Sequence, residues 1–486
     1  MNAALRRLAG PALAAGAVLA VGAAAWPYTV DDAYIVARYG RRLAAGLGWT
    51  FVDGPATDGV TGPLWVLPAW LGAATGLGAP LVQKALGLAA AALGAGLVVA
   101  RARGPEGARD GAVRLGAGLL VGLQSTLGVW GQAGLETGAA VLAAGLAAIG
   151  VGVPGRRGDL LLGGAVAALA GLRPEMAPFA LVLLLARARP IAWGLAVGGV
   201  LAWLAFRLAL FGAVLPLSYQ AKVGAPGTGL PYVGAGLLLT TGVVGLGLAA
   251  VGARRPGRRA WGLAAAAQVG TVALVGGDWM PGARLLAPVL PLYGVLAAEG
   301  AAALWAGGRA RRALAAVGLL GALALPLIDL VAQLGPVRAA GAARRAARGL
   351  AERLGEHESV ALVDVGWLTW DQPVDVVDLG GLTDPTIARA PGGHLTKEIP
   401  IAYLAEREPE VILLHAAVPP RVDGEGRLET LAGYPVERGL AASGWVRANY
   451  RVEDVIRYAE GYHYVWLARR PPGPPGARDA RESRRE

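Results

Sequence analysis

Long apolar runs, separated by short breaks rich in arginine, glycine or proline, fill the first two thirds of the chain. A helix needs roughly 20 predominantly apolar residues to cross the hydrocarbon core of a bilayer. On that criterion the pattern predicts eleven spans, near 9–26, 80–101, 112–130, 134–153, 159–173, 176–188, 190–211, 231–252, 260–276, 285–306 and 313–334. The pair 159–173 and 176–188 is the shortest of the set. From about residue 336 the pattern changes. An amphipathic helix is predicted over Arg344–Leu354. β-type runs follow at Ser359–Val365, Val374–Val377, Val411–Leu414, Trp445–Val452 and Tyr462–Leu467, with helical stretches near 398–408 and 426–443. Such alternation predicts a small α/β domain. The fold class expected is therefore an α-helical polytopic membrane protein with a C-terminal α/β domain. Residues 1–335 form the membrane domain, with a first outer loop at 26–79. Residues 336–470 form the soluble domain, and 471–486, mainly Pro, Gly and charge, a disordered tail.

Composition agrees with this pattern. Of 486 residues 55% are hydrophobic, another 75 are glycine, and only 16% are charged, which excludes an ordinary soluble enzyme and a disordered chain. The net charge of +11 invites a nucleic-acid reading, but its distribution removes it. Residues 1–335 carry +13 and residues 336–486 carry −2, so the excess base lies among the spans. Placed with the N-terminus in the cytoplasm, 17 basic residues fall on inner segments, among them Arg101, Arg103, Arg187, Arg258 and Arg312. This is the positive-inside bias, and it assigns arginines such as Arg258 to topology alone. Eleven spans from an inside start put the C-terminal domain outside. Met1–Trp26 also has the parts of a signal peptide, but ten further spans and their parity favour a retained helix. There is no cysteine, so disulfides and thiolate metal sites are excluded. Three lysines against 42 arginines fit a GC-rich bacterial genome.

In a chain this apolar, ionisable groups beside the spans carry the information. Tyr28 to Tyr39 contains the adjacent carboxylates Asp31 and Asp32 directly after the first span, followed by a stretch patterned as an interfacial helix. Helix capping is the plain alternative for the acidic pair. The same side of the membrane receives Gly134-Leu135-Glu136-Thr137, Arg173-Pro174-Glu175, Leu215 to Lys222, and Gly276 to Arg284. An Arg173–Glu175 ion pair and an interfacial anchor at Trp279 are the corresponding plain readings. Together, carboxylates beside cations and aromatic rings at a lipid boundary suit chemistry on a lipid-linked phosphate. The cations would hold the phosphate, and a carboxylate would take a proton from an attacking hydroxyl.

The run Asp31-Asp32-Ala33-Tyr34-Ile35 with Ala37-Arg38-Tyr39, then Asp58-Gly59-Val60-Thr61-Gly62-Pro63-Leu64-Trp65, resembles the first loop of bacterial GT-C membrane glycosyltransferases. It is closest to the actinobacterial terminal β-(1→2) arabinofuranosyltransferase family. The segments at 134–137, 173–175, 216–222 and 277–284 resemble that family's pattern in the same order, as does Gly381-Leu382-Thr383-Asp384-Pro385 with Ile387-Ala388-Arg389. Asp58-Gly59-Val60-Thr61 departs from the usual Glu-Gly-Tyr-Thr, and Met176 from the usual glycine. The resemblance implies transfer of a sugar, arabinofuranose by the nearest family, from a polyprenyl-phosphate donor to an envelope polysaccharide or glycolipid on the periplasmic face of the inner membrane. No cofactor is required and no nucleic-acid partner is expected. It implies Asp31 or Asp32 as the catalytic carboxylate. Arg173, Lys222 and Arg284 are then candidates for the donor phosphate, and Glu136, Glu175, Tyr219, Asp278, Trp279 and His394 for sugar hydroxyls and stacking; a surface-loop role is the plain reading of His394. Rival readings are another GT-C transfer, such as mannosyl to protein or lipid, a flippase for lipid-linked sugars, and a non-catalytic scaffold. A flippase would be expected to carry inverted repeats and broken helices; the sequence shows no internal repeat.

Reporter fusions after Gly308 and after Pro336 test the topology. Opposite sides are expected, cytoplasmic then periplasmic; the same side for both would remove the last span.

Overall fold

Every predicted span falls on helix in the computed structural model, which describes residues 3–106, 110–222, 228–278, 280 and 282–471. The side chains of residues 3–6 and of Lys222 lie outside the described residues. Among the described residues five helices are long and apolar enough to cross a membrane: Arg7–Ala24, Ala79–Val99, Pro190–Phe211, Arg284–Trp305 and Arg309–Ala346. Two further apolar runs are broken helices. Asp110–Gly122 and Ser125–Gln132 meet at 56°, and Gly229–Thr240 and Gly242–Ala253 at 84°. Length and composition thus support five crossings, or seven with the bent pairs, where the hydropathy pattern predicts eleven. Of the remaining expected spans, Thr137–Gly152, Ala177–Arg187 and Arg259–Val275 are shorter helices, and Gly155–Leu172, at 18 residues, carries Arg156, Arg157 and Asp159 near its start.

The backbone groups freed at the breaks find partners. A bend frees backbone carbonyls that need donors when water is absent. At the first break Gln124 Nε2 donates to Leu120 O (3.1 Å), and also to Thr240 O at the second break (2.7 Å). Gly242 makes the second turn with φ of +63°, where a side chain would be strained. The helices elsewhere close together through small residues. A Cβ at Gly138 would come within 1.9 Å of Gly87 O, and one at Gly300 within 1.9 Å of Leu248 O.

Arg258, expected to serve topology alone, also has a packing role. Its guanidinium holds Glu299, 1% exposed, at 2.6 Å, and Arg255 approaches the same carboxylate at 3.5 Å. A carboxylate carried inside the bundle needs such partners.

The chain divides into two units, Met1–Tyr219 with Gly224–Arg345, and Gln220–Val223 with Ala346–Glu486. The helix Arg309–Ala346 continues through Pro336, ten residues past the expected start of the soluble domain. At 1.5 Å per residue it is about 57 Å long, against roughly 30 Å for the hydrocarbon core.

The second unit is built on a five-stranded sheet of order β2-β1-β3-β7-β6. Its strands are β1 (Ser359–Leu362), β2 (Asp375–Asp378), β3 (Val411–Ala416), β6 (Tyr450–Ala459) and β7 (Tyr462–Arg469), with β4 (Arg421–Val422) and β5 (Leu428–Thr430) pairing apart. β1 runs parallel to β2 and β3; β7 is antiparallel to β3 and closes a hairpin with β6. The predicted strand at Trp445–Val452 begins instead as the helix Gly444–Asn449, because Ser443 Oγ accepts from Val446 N and caps it. Inside this unit His415 is clasped by Glu437 (Nδ1, 2.6 Å) and Asp364 (Nε2, 3.1 Å), and Tyr462 and Tyr464 donate to the same Asp364 oxygen. Burial disfavours the imidazolium, but the two carboxylates prevail and raise the His415 pKa from 6.5 to about 10.

A native pKa above the unfolded value means that the stabilisation is complete below about pH 6.5 and is lost as pH rises through about 10. In the full chain, the second unit of the wild type should therefore resist proteolysis better than His415→Gln at pH 7, with the margin closing toward pH 10. A margin that widens with pH would contradict the clasped imidazolium.

Candidate active site

The first loop is fixed by hydrogen bonds to its backbone. Lys84, from the helix Ala79–Val99, donates to Trp26 O (2.5 Å), Tyr28 O (2.9 Å) and Thr29 Oγ1 (2.9 Å) and lies over the Trp26 ring. Val30 N donates to Ala133 O at 3.1 Å. The helix Asp31–Ala44 then starts with Val30 as N-cap, without a side-chain cap bond. Asp31 and Asp32 occupy its first turn, where the helix dipole favours negative charge, but neither is the capping residue. This helix is more than an interfacial one: Ile35, Val36, Arg38, Tyr39 and Gly40 are buried, and a Cβ at Gly40 would collide with Ala69.

The loop that follows is tied back onto the helix. Arg38 Nε donates to Phe51 O (2.8 Å), and the Tyr39 hydroxyl bonds Thr57 Oγ1 (2.7 Å) and accepts from Gly59 N (3.2 Å). Asp58 forms an ion pair with Arg207, which is fully buried in the span Pro190–Phe211. Leu217 N donates to Asp58 O at 3.1 Å, and Thr61 Oγ1 meets Ser218 Oγ at 2.8 Å. Two motifs far apart in sequence are thereby joined.

Gly134 turns with φ of +96°, and its carbonyl accepts from Trp65 Nε1 (2.8 Å) and Gln83 Nε2 (3.1 Å). That turn delivers Glu136 to Arg173, whose guanidinium reaches Glu136 at 2.8 Å, Glu175 at 3.3 Å and Thr137 Oγ1 at 3.1 Å. Arg284 is held by Asp278 at 2.7 Å and lies 5.6 Å from the centre of the Trp130 ring. Glu136 and Asp32 are within electrostatic reach of Arg284. Tyr28 stacks edge-on against Trp130 and lies 6.0 Å from the Arg344 guanidinium, which also faces Tyr34. Burial pushes the Tyr28 phenol up to about 12; the fields of Arg344 and Arg284 pull it down, while those of Asp32 and Asp31 push it further. Asp31, Asp32, Glu136, Asp278, Arg173 and Arg284 therefore belong to one connected charge network.

The other expected residues stand differently. Tyr219 is 54% exposed. Trp279 and the Lys222 side chain lie outside the described residues. His394 belongs to the second unit, where its Nδ1 sits 2.8 Å from Gly380 O. Among the described residues no group of three His, Asp or Glu could hold a metal ion. Asp32 makes no side-chain hydrogen bond or ion pair among the described residues, whereas Asp31 is engaged. Sequence reasoning passed over Lys84, Trp130, Arg207 and Arg344. For Lys84 and Arg207 the signal was present, a single charge inside an apolar run.

In fold, the chain is similar to ArnT. The solved structure is that of ArnT from Cupriavidus metallidurans bound to undecaprenyl phosphate. The likeness has a TM-score of 0.51 at 13% identity and covers 75% of this chain and 85% of that one. Residues 333–470 match a family described as Domain of unknown function (DUF8728). No curated protein matches the chain.

The Asp58–Arg207 pair gives a test of how the first loop is held. Arg207→Met leaves a buried carboxylate alone and should cost about 3–5 kcal/mol. Adding Asp58→Asn should recover most of it, read as the thermal midpoint of the purified protein. No recovery would mean that Arg207 acts through other partners.

Proposed function

We propose that the protein is a GT-C membrane glycosyltransferase that moves a sugar from a polyprenyl-phosphate donor to an envelope glycan. The observation that carries this reading is the convergence of Asp32 with Arg284, Asp278 and Glu136 in a fold similar to that of ArnT. Asp32 is the base. Its carboxylate is half-buried, close to positive charge, and makes no competing bond among the described residues. It takes the proton as the acceptor hydroxyl attacks the anomeric carbon, and the bond from that carbon to the phosphate oxygen breaks. The polyprenyl phosphate leaves with the electron pair, its charge met by Arg284 and Arg344. Arg173, held by Glu136 and Glu175, orients those carboxylates for sugar hydroxyls as well as adding positive charge. The motifs of the first loop favour arabinofuranose as the sugar. The arginine distribution favours a multi-pass protein of the bacterial inner membrane, with this network and the 336–470 domain on the periplasmic side.

The two bent helix pairs favour a second reading, a flippase for lipid-linked sugars, since broken helices line many transport sites. Turnover separates the two readings. Purified protein incubated with polyprenyl-phosphate arabinose or mannose and a glycan acceptor should form a glycosidic product. Asp32→Asn keeps size and hydrogen bonding but removes the base, so transfer should fall on the order of 10²–10⁴-fold with folding intact; Asp31→Asn should do less. Near-normal transfer by both single variants and by the double variant would make the acidic pair structural.

A further inference from the structure

A cavity of about 210 Å³ lies where the helix Gly229–Thr240 turns away, between that helix, the residues Asp278, Met280, Gly282 and Ala283, and the last helix of the first unit. Its walls include Tyr232, Leu239 and Thr240 on one side, Asp278 on another, and Asp329 with Gln333 on the third. Asp329 is 95% buried in the most apolar of the candidate spans. A carboxylate there is costly and marks a site more often than not. Its Oδ2 accepts from Ser125 Oγ at 2.5 Å, and both oxygens accept from Gln333 Nε2 at 2.7 Å. An ionised carboxylate has about four acceptor positions, so capacity remains toward the cavity. Asp278 contributes a second carboxylate and keeps its Arg284 partner at 2.7 Å.

The lining decides the ligand class. Two carboxylates repel an anion, so the donor phosphate does not belong in this space. A hydrocarbon would strip their water and return nothing. A neutral group carrying several O–H donors satisfies both carboxylates, with Leu239 and the small residues of the same helix against its carbon face. The volume falls below the roughly 300–1,000 Å³ of drug-sized pockets and suits one sugar ring.

We infer that this cavity is the subsite for the donor's sugar ring, with Asp329 and Gln333 as hydroxyl-binding residues across from Asp278. The inference rests on the donor class proposed above and adds to it which residues recognise the sugar.

The test compares binding of polyprenyl phosphate and of polyprenyl-phosphate arabinose to the detergent-purified full chain. The wild type should bind the sugar-bearing lipid more tightly. Asp329→Asn should weaken that lipid about tenfold or more while leaving the bare lipid phosphate unchanged. Gln333→Ala, which leaves the Ser125 bond in place, should show the same selectivity, and it serves if Asp329→Asn does not fold. Equal loss for both lipids would make Asp329 and Gln333 a brace between helices and overturn the subsite. So would wild-type behaviour of the variants, or no preference for the sugar-bearing lipid in the wild type. Failure of the wild type to bind either lipid would defeat the donor reading itself, and this inference with it, and is thus distinguishable from a loss confined to the variants.

Discussion

A charge taken out of water has to be matched, and the architecture of the membrane unit follows from that constraint. Moving an ion into a medium of low polarity costs several kcal/mol even after relaxation, so each buried cation here has a defined set of oxygens around it. Lys84 is met by two backbone carbonyls and Thr29. Arg207 is met by Asp58, Arg173 by Glu136 and Glu175, and Arg284 by Asp278. The pairings of Lys84 with the 26–29 backbone, of Arg207 with Asp58 and of Arg173 with Glu136 join segments distant in sequence, so the requirement for neutrality also sets the register of the loops. The same rule operates at Glu299, where Arg255 and Arg258 draw two helices onto one carboxylate.

The proposed function rests on the exception. Where most charges are matched, the carboxylate of Asp32 makes no direct bond among the described residues while Arg284 lies within electrostatic reach. On the proposed mechanism, a carboxylate in this position can serve as the base without being consumed by structure. The contacts that fix the first loop are made by its neighbours and not by Asp32: Lys84 donates to the loop backbone, the Tyr28 ring packs edge-on against Trp130, and Val30 N donates to Ala133 O. Placement of Asp32 is therefore supplied by neighbours, as the proposed role requires.

The sequence made some of this legible and hid the rest for physical reasons. Apolar runs announce helices, because burying them in lipid or protein needs no partner residue to be known. They do not announce bends, since hydropathy is the same on both sides of Leu123-Gln124 and of Thr241; the bends became visible only with the long-range bond from Gln124 to Thr240. Outer-loop motifs located Asp32, Glu136, Arg173, Asp278 and Arg284. The Asp58–Arg207 pair joins residues 149 positions apart, and nothing local in either segment points to the other. Asp329 was visible in principle as a lone charge in an apolar span, as was Lys84. In the second unit the β propensity around Trp445 lost to a serine cap, a contest between local signals that the apolar pattern alone does not weigh.

The most direct measurement is a structure of the protein with a bound polyprenyl-phosphate donor. The account places the lipid phosphate against Arg284 and Arg344, with the anomeric carbon facing Asp32. A donor phosphate bound at the end of the bundle that carries Arg258 and Glu299, or a sugar ring turned away from Asp32, would contradict it.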